Sequence, residues 1–145
     1  MTSHDSISEA LDAMDGPTGA VEVDLPDGKG VLDVREVGAL GVTVGEVRVR
    51  RNQPYELETA AQEVAKRVRS LRDRVVPVEV DTRLGGGVLR SRPEDMRGTD
   101  FYQVDLEGDR EVRVRRFGPE KGGGRKVLDF TLTREQLGDL VDELS

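Results

Sequence analysis

A chain of 145 residues is long enough to bury the core of one ordinary domain. Hydrophobic and charged residues each make up 35% of it and aromatic residues only 3%, so the core must rest on valine and leucine. The chain has no cysteine and a single histidine, which excludes disulfides, thiolate metal sites and metal sites built from several histidines.

The formal net charge of −7 is unevenly distributed. Residues 1–46 hold ten acidic and two basic side chains. Residues 47–134 hold fifteen acidic and twenty basic side chains, and residues 135–145 hold four acidic side chains and no basic one. Such segregation bears on partners and solubility rather than on fold. Because no apolar run is long enough to span a membrane and no signal segment is recognisable at the N-terminus, we expect a soluble, cytoplasmic protein.

The first element is predicted to be a short helix. Apolar residues recur at helical spacing from Ile7, and Ser6 with Glu9 three residues later fits a capping box. We expect residues 1–5 to form a flexible tail of a single domain that covers 1–145.

Three strands and the longest helix are predicted next. The strands are expected at Ala20–Leu25, Gly30–Val37 and Leu40–Arg51. A Pro-Asp-Gly turn separates the first two. An apolar stripe with helical spacing then predicts a helix from about Tyr55 to Arg74, opened by Pro54.

The second half alternates like a run of antiparallel strands and ends in a helix. The strands are expected at Val76–Arg83, Val88–Arg92, Phe101–Leu106, Glu111–Phe117 and Lys126–Leu132. Thr133 and Gln136 form a capping box for the last helix. The sequence therefore predicts an α+β fold, a mainly antiparallel sheet of about eight strands with three helices, in the order α-βββ-α-βββββ-α.

The hexapeptide Glu-Val-Arg-Val-Arg-Arg occurs twice, at Glu46–Arg51 and Glu111–Arg116. The unequal segments after the two copies favour similar strand patterning over a duplication. Because side chains alternate along a strand, each copy has valines on one face and arginines on the other, namely Arg48, Arg50, Arg113 and Arg115. If the two strands are neighbours, these arginines can bind an anion or a partner, since guanidinium groups match phosphates and carboxylates. The face could be extended by Arg51, Arg116, Arg125 and Lys126.

The alternative is a solvated face whose arginines pair across strands with acidic residues. The candidate partners are Glu46, Asp105, Glu107, Glu111 and Asp129. We favour this alternative, because acidic residues are interleaved with the arginines and aromatic residues are not.

The last helix carries an apolar stripe that offers a second candidate surface. The stripe consists of Leu137, Leu140, Val141 and Leu144. It could dock a partner or a second subunit, but an amphipathic helix usually covers its own sheet, and we favour that interpretation.

No catalytic, cofactor-binding or metal-binding motif is recognisable. The glycine-rich segment 118–126 lacks the Gly-Lys-Ser/Thr leading into a helix that a phosphate-binding loop requires. The 29 acidic residues give no basis for choosing a catalytic pair of carboxylates.

In size, acidity and order of elements, the chain resembles the small acidic chaperones of bacterial type III secretion, although its second half has more predicted strands. That resemblance implies a homodimer that binds extended segments of unfolded partners. Because catalytic side chains are missing, the core is thin and the charge is segregated, we expect a non-enzymatic binding module that recognises a protein or peptide, or itself as a homodimer, with no cofactor and no membrane. Binding of a polyanion or nucleic acid through the arginine strands is the less favoured alternative.

Overall fold

The computed structural model describes residues 2–145. Its elements are α1 (Ser3–Asp12), β1 (Gly19–Leu25), β2 (Gly28–Val37), β3 (Val42–Arg51), α2 (Leu57–Arg67), β4 (Val75–Asp81), β5 (Gly86–Ser91), a short 3-10 turn (Pro93–Asp95), β6 (Phe101–Glu107), β7 (Glu111–Pro119), β8 (Arg125–Leu128), β9 (Phe130–Leu132) and α3 (Arg134–Leu144). The predicted α+β class is confirmed. Over this range there are three helices and one sheet of nine strands, all paired antiparallel. None of these helices is both long and apolar enough to cross a membrane.

The strand order in the sheet is β1-β2-β3-β7-β6-β5-β4. β3 and β7 pair directly along only part of their length. Elsewhere β3 pairs with β9 and β7 pairs with β8, so these two short strands fill the space where the central strands part. The single strand predicted at Lys126–Leu132 is therefore two strands interrupted at Asp129, which raises the number of strands from eight to nine.

Strand alternation divides the sheet into a helix-covered face and an open face. The valines of the two hexapeptides, Val47, Val49, Val112 and Val114, are fully buried on the covered face. α1 lies against β1 and α3, α2 against β4 and β5, and α3 against β3. Burial of this valine- and leucine-rich face beneath three amphipathic helices supplies the hydrophobic core.

The first helix begins earlier than the sequence predicts. Thr2 is the N-cap, and its hydroxyl accepts a hydrogen bond from the amide of Asp5 at 3.1 Å, so the predicted capping box at Ser6 is wrong. α1 thus starts inside segment 1–5, for which a flexible tail was expected; Met1 lies outside the described residues. Contacts with α3 favour the earlier start, since Ser3 is buried and the His4 ring lies 2.9 Å from a carboxylate oxygen of Asp139.

The second helix is shorter than predicted and ends at Arg67 instead of Arg74. Val68 is already extended, with ψ of 107°. The carboxylate of Glu143 in α3 accepts hydrogen bonds from the amides of residues 69–70 at 3.2 and 3.1 Å. A carboxylate distant in sequence thus binds the backbone amides that follow the helix, which the local apolar stripe could not reveal.

The helix N-termini follow two different patterns. The capping box at Thr133 and Gln136 is confirmed, with both reciprocal hydrogen bonds formed at 2.9 and 3.0 Å. α2 is capped by Glu56, whose carboxylate accepts the amides of Glu58 and Thr59, so the helix begins three residues after Pro54. Local sequence therefore specifies the start of α3 better than the start of α2.

Gly28 provides a test of the β2–β3 pairing. It lies opposite Arg51, and an added Cβ would overlap the carbonyl oxygen of Arg50. Because that oxygen belongs to the backbone, it cannot move aside without disturbing the pairing. We expect Gly28→Ala to lower the free energy of unfolding in urea by about 2 kcal/mol or more.

Gly86→Ala is the matched control. The nearest atom to its added Cβ is the carbonyl oxygen of Leu106 at 3.6 Å, an ordinary van der Waals distance. We expect this variant to be as stable as the wild type or slightly more stable, because alanine restricts the unfolded chain. Equal losses in the two variants would contradict the β2–β3 register.

Candidate functional site

The two hexapeptides lie side by side at the centre of the sheet. Val47 pairs with Val114 and Arg48 pairs with Arg113, so the two copies run antiparallel in register. The four arginines singled out from the sequence, Arg48, Arg50, Arg113 and Arg115, all lie on the open face. Alternation therefore brings them together on one surface.

Each of these arginines lies within ion-pair distance of a carboxylate on the same face. Arg50 lies 2.8 Å from Glu111, Arg115 2.8 Å from Asp105, Arg113 2.5 Å from Glu107, and Arg48 3.6 Å from Glu46. Four of the five acids named from the sequence thus serve as partners, and Asp129 instead lies 3.9 Å from Arg35. The charge of this central group is largely balanced within the sheet.

A second cluster lies further along the same face, and we call it the Arg–Phe patch. It consists of Arg90 of β5, Phe101 of β6, Arg115 and Phe117 of β7, and Arg125 of β8. The two phenyl rings are stacked with their centroids 5.7 Å apart. The guanidinium carbons of Arg125 and Arg115 lie 4.3 and 5.0 Å from the ring centroid of Phe117, and that of Arg90 lies 5.5 Å from the ring centroid of Phe101. These distances are in the range of cation–π contacts.

A buried amide supports the patch from below. Gln103 is only 3% exposed, and its Oε1 accepts hydrogen bonds from Nε of Arg90 at 3.0 Å and from Nη1 of Arg125 at 2.9 Å. Its Nε2 donates to Asp105 at 3.0 Å, and Asp105 accepts from Arg115 at 2.8 Å. One chain of hydrogen bonds therefore fixes all three guanidinium groups relative to the sheet.

Arg90 and Arg125 differ from the central arginines in their charge balance. Among residues 2–145, no carboxylate lies within 4.0 Å of either guanidinium group. Each makes one hydrogen bond, to Gln103, although a guanidinium group carries five N–H donors. The patch thus holds two oriented cations that have no anionic partner within the described chain.

The sequence pointed to only part of this patch. The expectation that no aromatic residue is interleaved with the arginines is wrong. Phe117 follows Arg115 by two residues and therefore lies on the same face of the sheet. The alternation of side chains along the strand was sufficient to predict this. Phe101 and Arg90 could not be placed without the strand order. Of the arginines expected to extend the open face, Arg125 does so. Arg51 and Arg116 do not, because each directly follows an arginine of the open face and therefore points to the opposite face of the sheet.

The apolar stripe of the last helix lies in the core. Leu137, Leu140, Val141 and Leu144 are all 0% exposed, packed in the hydrophobic core that α3 shares with β3 and α1. α3 therefore covers its own sheet. A partner could reach these side chains only if the helix left its position.

A cleft of about 510 Å³ lies beside the start of α2. Arg51, Tyr55 and Glu63 line it. The Tyr55 hydroxyl donates to the carbonyl oxygen of Glu111 at 2.6 Å, and burial raises the pKa of Tyr55 to about 12. Burial likewise lowers the pKa of Arg51 from its ordinary value, against the opposing effect of Glu63. No group of three or more histidine or acidic side chains in residues 2–145 is arranged to hold a metal ion.

The fold and the site define an α+β domain whose single antiparallel sheet carries arginines and stacked phenyl rings on its open face. No protein-family model, no curated protein and no solved structure matches this chain. Its function must therefore be argued from the side chains themselves.

Asp105 tests the buried part of the arginine network. Its side chain is 12% exposed and contacts Arg115, Arg113 and Gln103. Asp105→Asn removes the buried charge that these partly buried arginines share, so we expect the free energy of unfolding to fall by about 2 kcal/mol or more in urea titrations.

Glu107→Gln is the matched control on the same strand. Glu107 also pairs with Arg113, but its side chain is 45% exposed. Because solvent screens exposed ion pairs, the loss should stay below about 1 kcal/mol. A loss as large as that of Asp105→Asn would show that burial does not govern the strength of this network.

Tyr55 should ionise late. Its raised pKa means that the neutral hydroxyl stabilises the fold below the ordinary pKa of 10.0, and that this contribution disappears as the pH rises to about 12. Alkaline titration of tyrosinate absorbance should show a late step that Tyr55→Phe removes. The stability difference between wild type and Tyr55→Phe should shrink across the same interval. Ionisation of Tyr55 at pH 10.0 would contradict the buried hydrogen bond.

Proposed function

We propose that this chain is a non-enzymatic binding module for a protein or peptide, and that the Arg–Phe patch receives acidic side chains of the partner. The observation that carries the proposal is the pair Arg90 and Arg125, two oriented guanidinium groups without a carboxylate within 4.0 Å in the described chain. The central arginines of the same face are already paired.

The patch is preorganised for a carboxylate. The phenyl rings and Gln103 restrict Arg90 and Arg125 before any partner arrives, so less side-chain entropy is lost on binding. Hydrogen bonds between a guanidinium group and a carboxylate are charge-assisted and frequently bidentate. Arginine and aromatic residues are also the types most enriched among the strongest contributors to protein interfaces.

The shape of the surface favours an extended partner over a small molecule. The patch lies on an open sheet face and not in a closed cavity. Val127 pairs with Phe117 across β7 and β8 and is 52% exposed, so an apolar side chain lies beside the guanidinium groups. A segment that alternates acidic and apolar residues would contact both.

The polyanion alternative is less well supported. Nucleic-acid surfaces also combine basic grooves with aromatic rings, on which bases stack. Here the guanidinium groups cover the rings, and Phe117 is only 5% exposed. Acidic residues stand beside the arginines on the same face, which interrupts the continuous positive charge that favours a phosphate backbone.

A second copy of the chain is a partner with suitable chemistry. Residues 1–46 hold ten acidic and two basic side chains, so this part of another copy could meet the patch. The homodimer expected from the sequence could therefore form through the same patch.

The proposal is tested with a labelled peptide of alternating glutamate and valine, with binding followed by fluorescence anisotropy. Arg90→Ala combined with Arg125→Ala should weaken binding at least about tenfold, as expected for lost charge-assisted hydrogen bonds. Arg83→Ala combined with Arg134→Ala removes the same charge elsewhere and should leave the affinity within about twofold.

Three results would overturn the proposal. They are no binding of the acidic peptide by the wild type, equal weakening in the two double variants, and tighter, steeply salt-dependent binding of oligothymidylate, which would support the polyanion alternative. Sedimentation of both double variants beside the wild type tests self-association. A dimer lost only in the patch variant would identify a second copy as the partner.

A further inference from the structure

A separate cleft of about 290 Å³ opens on the other side of β7. It is lined by Arg72, Arg97, Gly98, Thr99, Asp100 and Arg116. These residues come from the loop after α2, the loop before β6, and β7 itself. Arg116 and Arg115 are consecutive in β7, so they point to opposite faces of the sheet. The cleft is therefore distinct from the Arg–Phe patch.

Arg116 is the fixed element of this cleft. Its side chain is 13% exposed, and its guanidinium carbon lies 4.6 Å from the ring centroid of Tyr102. Its closest carboxylate oxygen in residues 2–145 belongs to Asp100 at 3.7 Å, and Asp100 is 44% exposed. The guanidinium group is thus held by an aromatic ring and paired only loosely.

The other two basic residues of the cleft lie in different loops. Nε of Arg72 lies 3.3 Å from Asp73, whose carboxylate is fully buried and anchors it. Arg97 is exposed and has no carboxylate within 4.0 Å in the described chain. The amides of Gly98 and Thr99 make no hydrogen bond to residues 2–145, which leaves two backbone donors beside the arginines.

The chemistry of this lining matches a tetrahedral dianion. The residues that line the cleft are three arginines, Gly98 and Thr99, and one acidic residue, Asp100. A planar carboxylate saturates a single guanidinium fork, whereas a phosphate group offers oxygen atoms to several forks at once.

A neighbouring cleft gives room for the group attached to such a phosphate. It measures about 680 Å³ and shares Arg72 with the smaller cleft. Leu71, Tyr102 and Leu132 line it, together with polar residues that include Arg69, Asp139 and Glu143. We propose that the two clefts form one binding site for a phosphomonoester, with the phosphate held by Arg72, Arg97 and Arg116 and the organic group beside Tyr102.

Calorimetric titration with phenyl phosphate, inorganic phosphate and acetate tests the site. We expect phenyl phosphate to bind more tightly than phosphate, and acetate to bind most weakly. Arg97→Ala should weaken binding of phenyl phosphate about tenfold, as expected for a lost charge-assisted contact. Because Arg97 is exposed, this variant should unfold at the wild-type temperature. Arg83→Ala, which removes an exposed arginine from another loop, should bind like the wild type.

Asp100→Asn should act in the opposite direction. Removing the carboxylate that competes for Arg116 should raise the affinity for phenyl phosphate, an effect that a purely structural role of Asp100 would not produce.

Several results would overturn the proposal. They are the absence of saturable binding of phenyl phosphate up to about 10 mM, equal affinities of Arg97→Ala and Arg83→Ala, and acetate binding as tight as phosphate. Equal affinity for inorganic phosphate and phenyl phosphate would reject the monoester and assign the site to free phosphate. None of these results depends on the Arg–Phe patch.

Discussion

Antiparallel pairing of two identical hexapeptides holds the centre of the sheet together. In the observed register, Arg48 lies directly opposite its own counterpart, Arg113, and a valine pair lies on either side. Like charges that face each other across strands are destabilising, so this register requires acidic neighbours. Glu46 supplies one, with its carboxylate oxygens 3.6 Å from Arg48 and 3.4 Å from Arg113. The buried valines fix which face the helices cover, and the carboxylates allow the arginines to crowd together on the other face.

Charge compensation on the open face weakens from the central strands toward β5 and β8. Asp105 of β6 is nearly buried, and it serves Arg113, Arg115 and the amide of Gln103. Gln103 occupies the next position on that face and offers a neutral oxygen where Asp105 offers a charged one. A neutral acceptor can orient the guanidinium groups of Arg90 and Arg125 without cancelling their charge. The difference between these two buried side chains separates arginines that are paired with carboxylates inside the sheet from two guanidinium groups that have no carboxylate partner in residues 2–145.

The parts of the structure that follow from local pattern could be predicted from the sequence. Alternation gave the strands and their two faces, and Thr133 gave the start of α3. The features that the sequence did not predict depend on contacts between segments that are distant along the chain. α2 stops early because Glu143 binds the amides that follow it. β8 and β9 are separate strands because they pair with different neighbours. The Arg–Phe patch needs β5, β6, β7 and β8 in one sheet, and no periodicity in the chain gives that strand order.

The last arginine of each hexapeptide follows another arginine and therefore lies on the covered face. These two arginines, Arg51 and Arg116, make different contacts in the two copies. Both side chains point to the same face of the sheet as the buried valines, at the ends of the covered face. Each guanidinium group stacks on a tyrosine ring. The guanidinium carbon of Arg51 lies 5.3 Å from the ring centroid of Tyr55, and that of Arg116 lies 4.6 Å from the ring centroid of Tyr102. Arg51 is then satisfied from within the chain, since its Nε donates to the carbonyl oxygen of Leu144 at 2.9 Å and stabilises the C-terminal end of α3. Arg116 makes no such hydrogen bond within residues 2–145, where its one carboxylate partner is the partly exposed Asp100 at 3.7 Å. The same local sequence thus produces a structural contact in one strand and an arginine with unused donors in the other, because the last helix covers only the first.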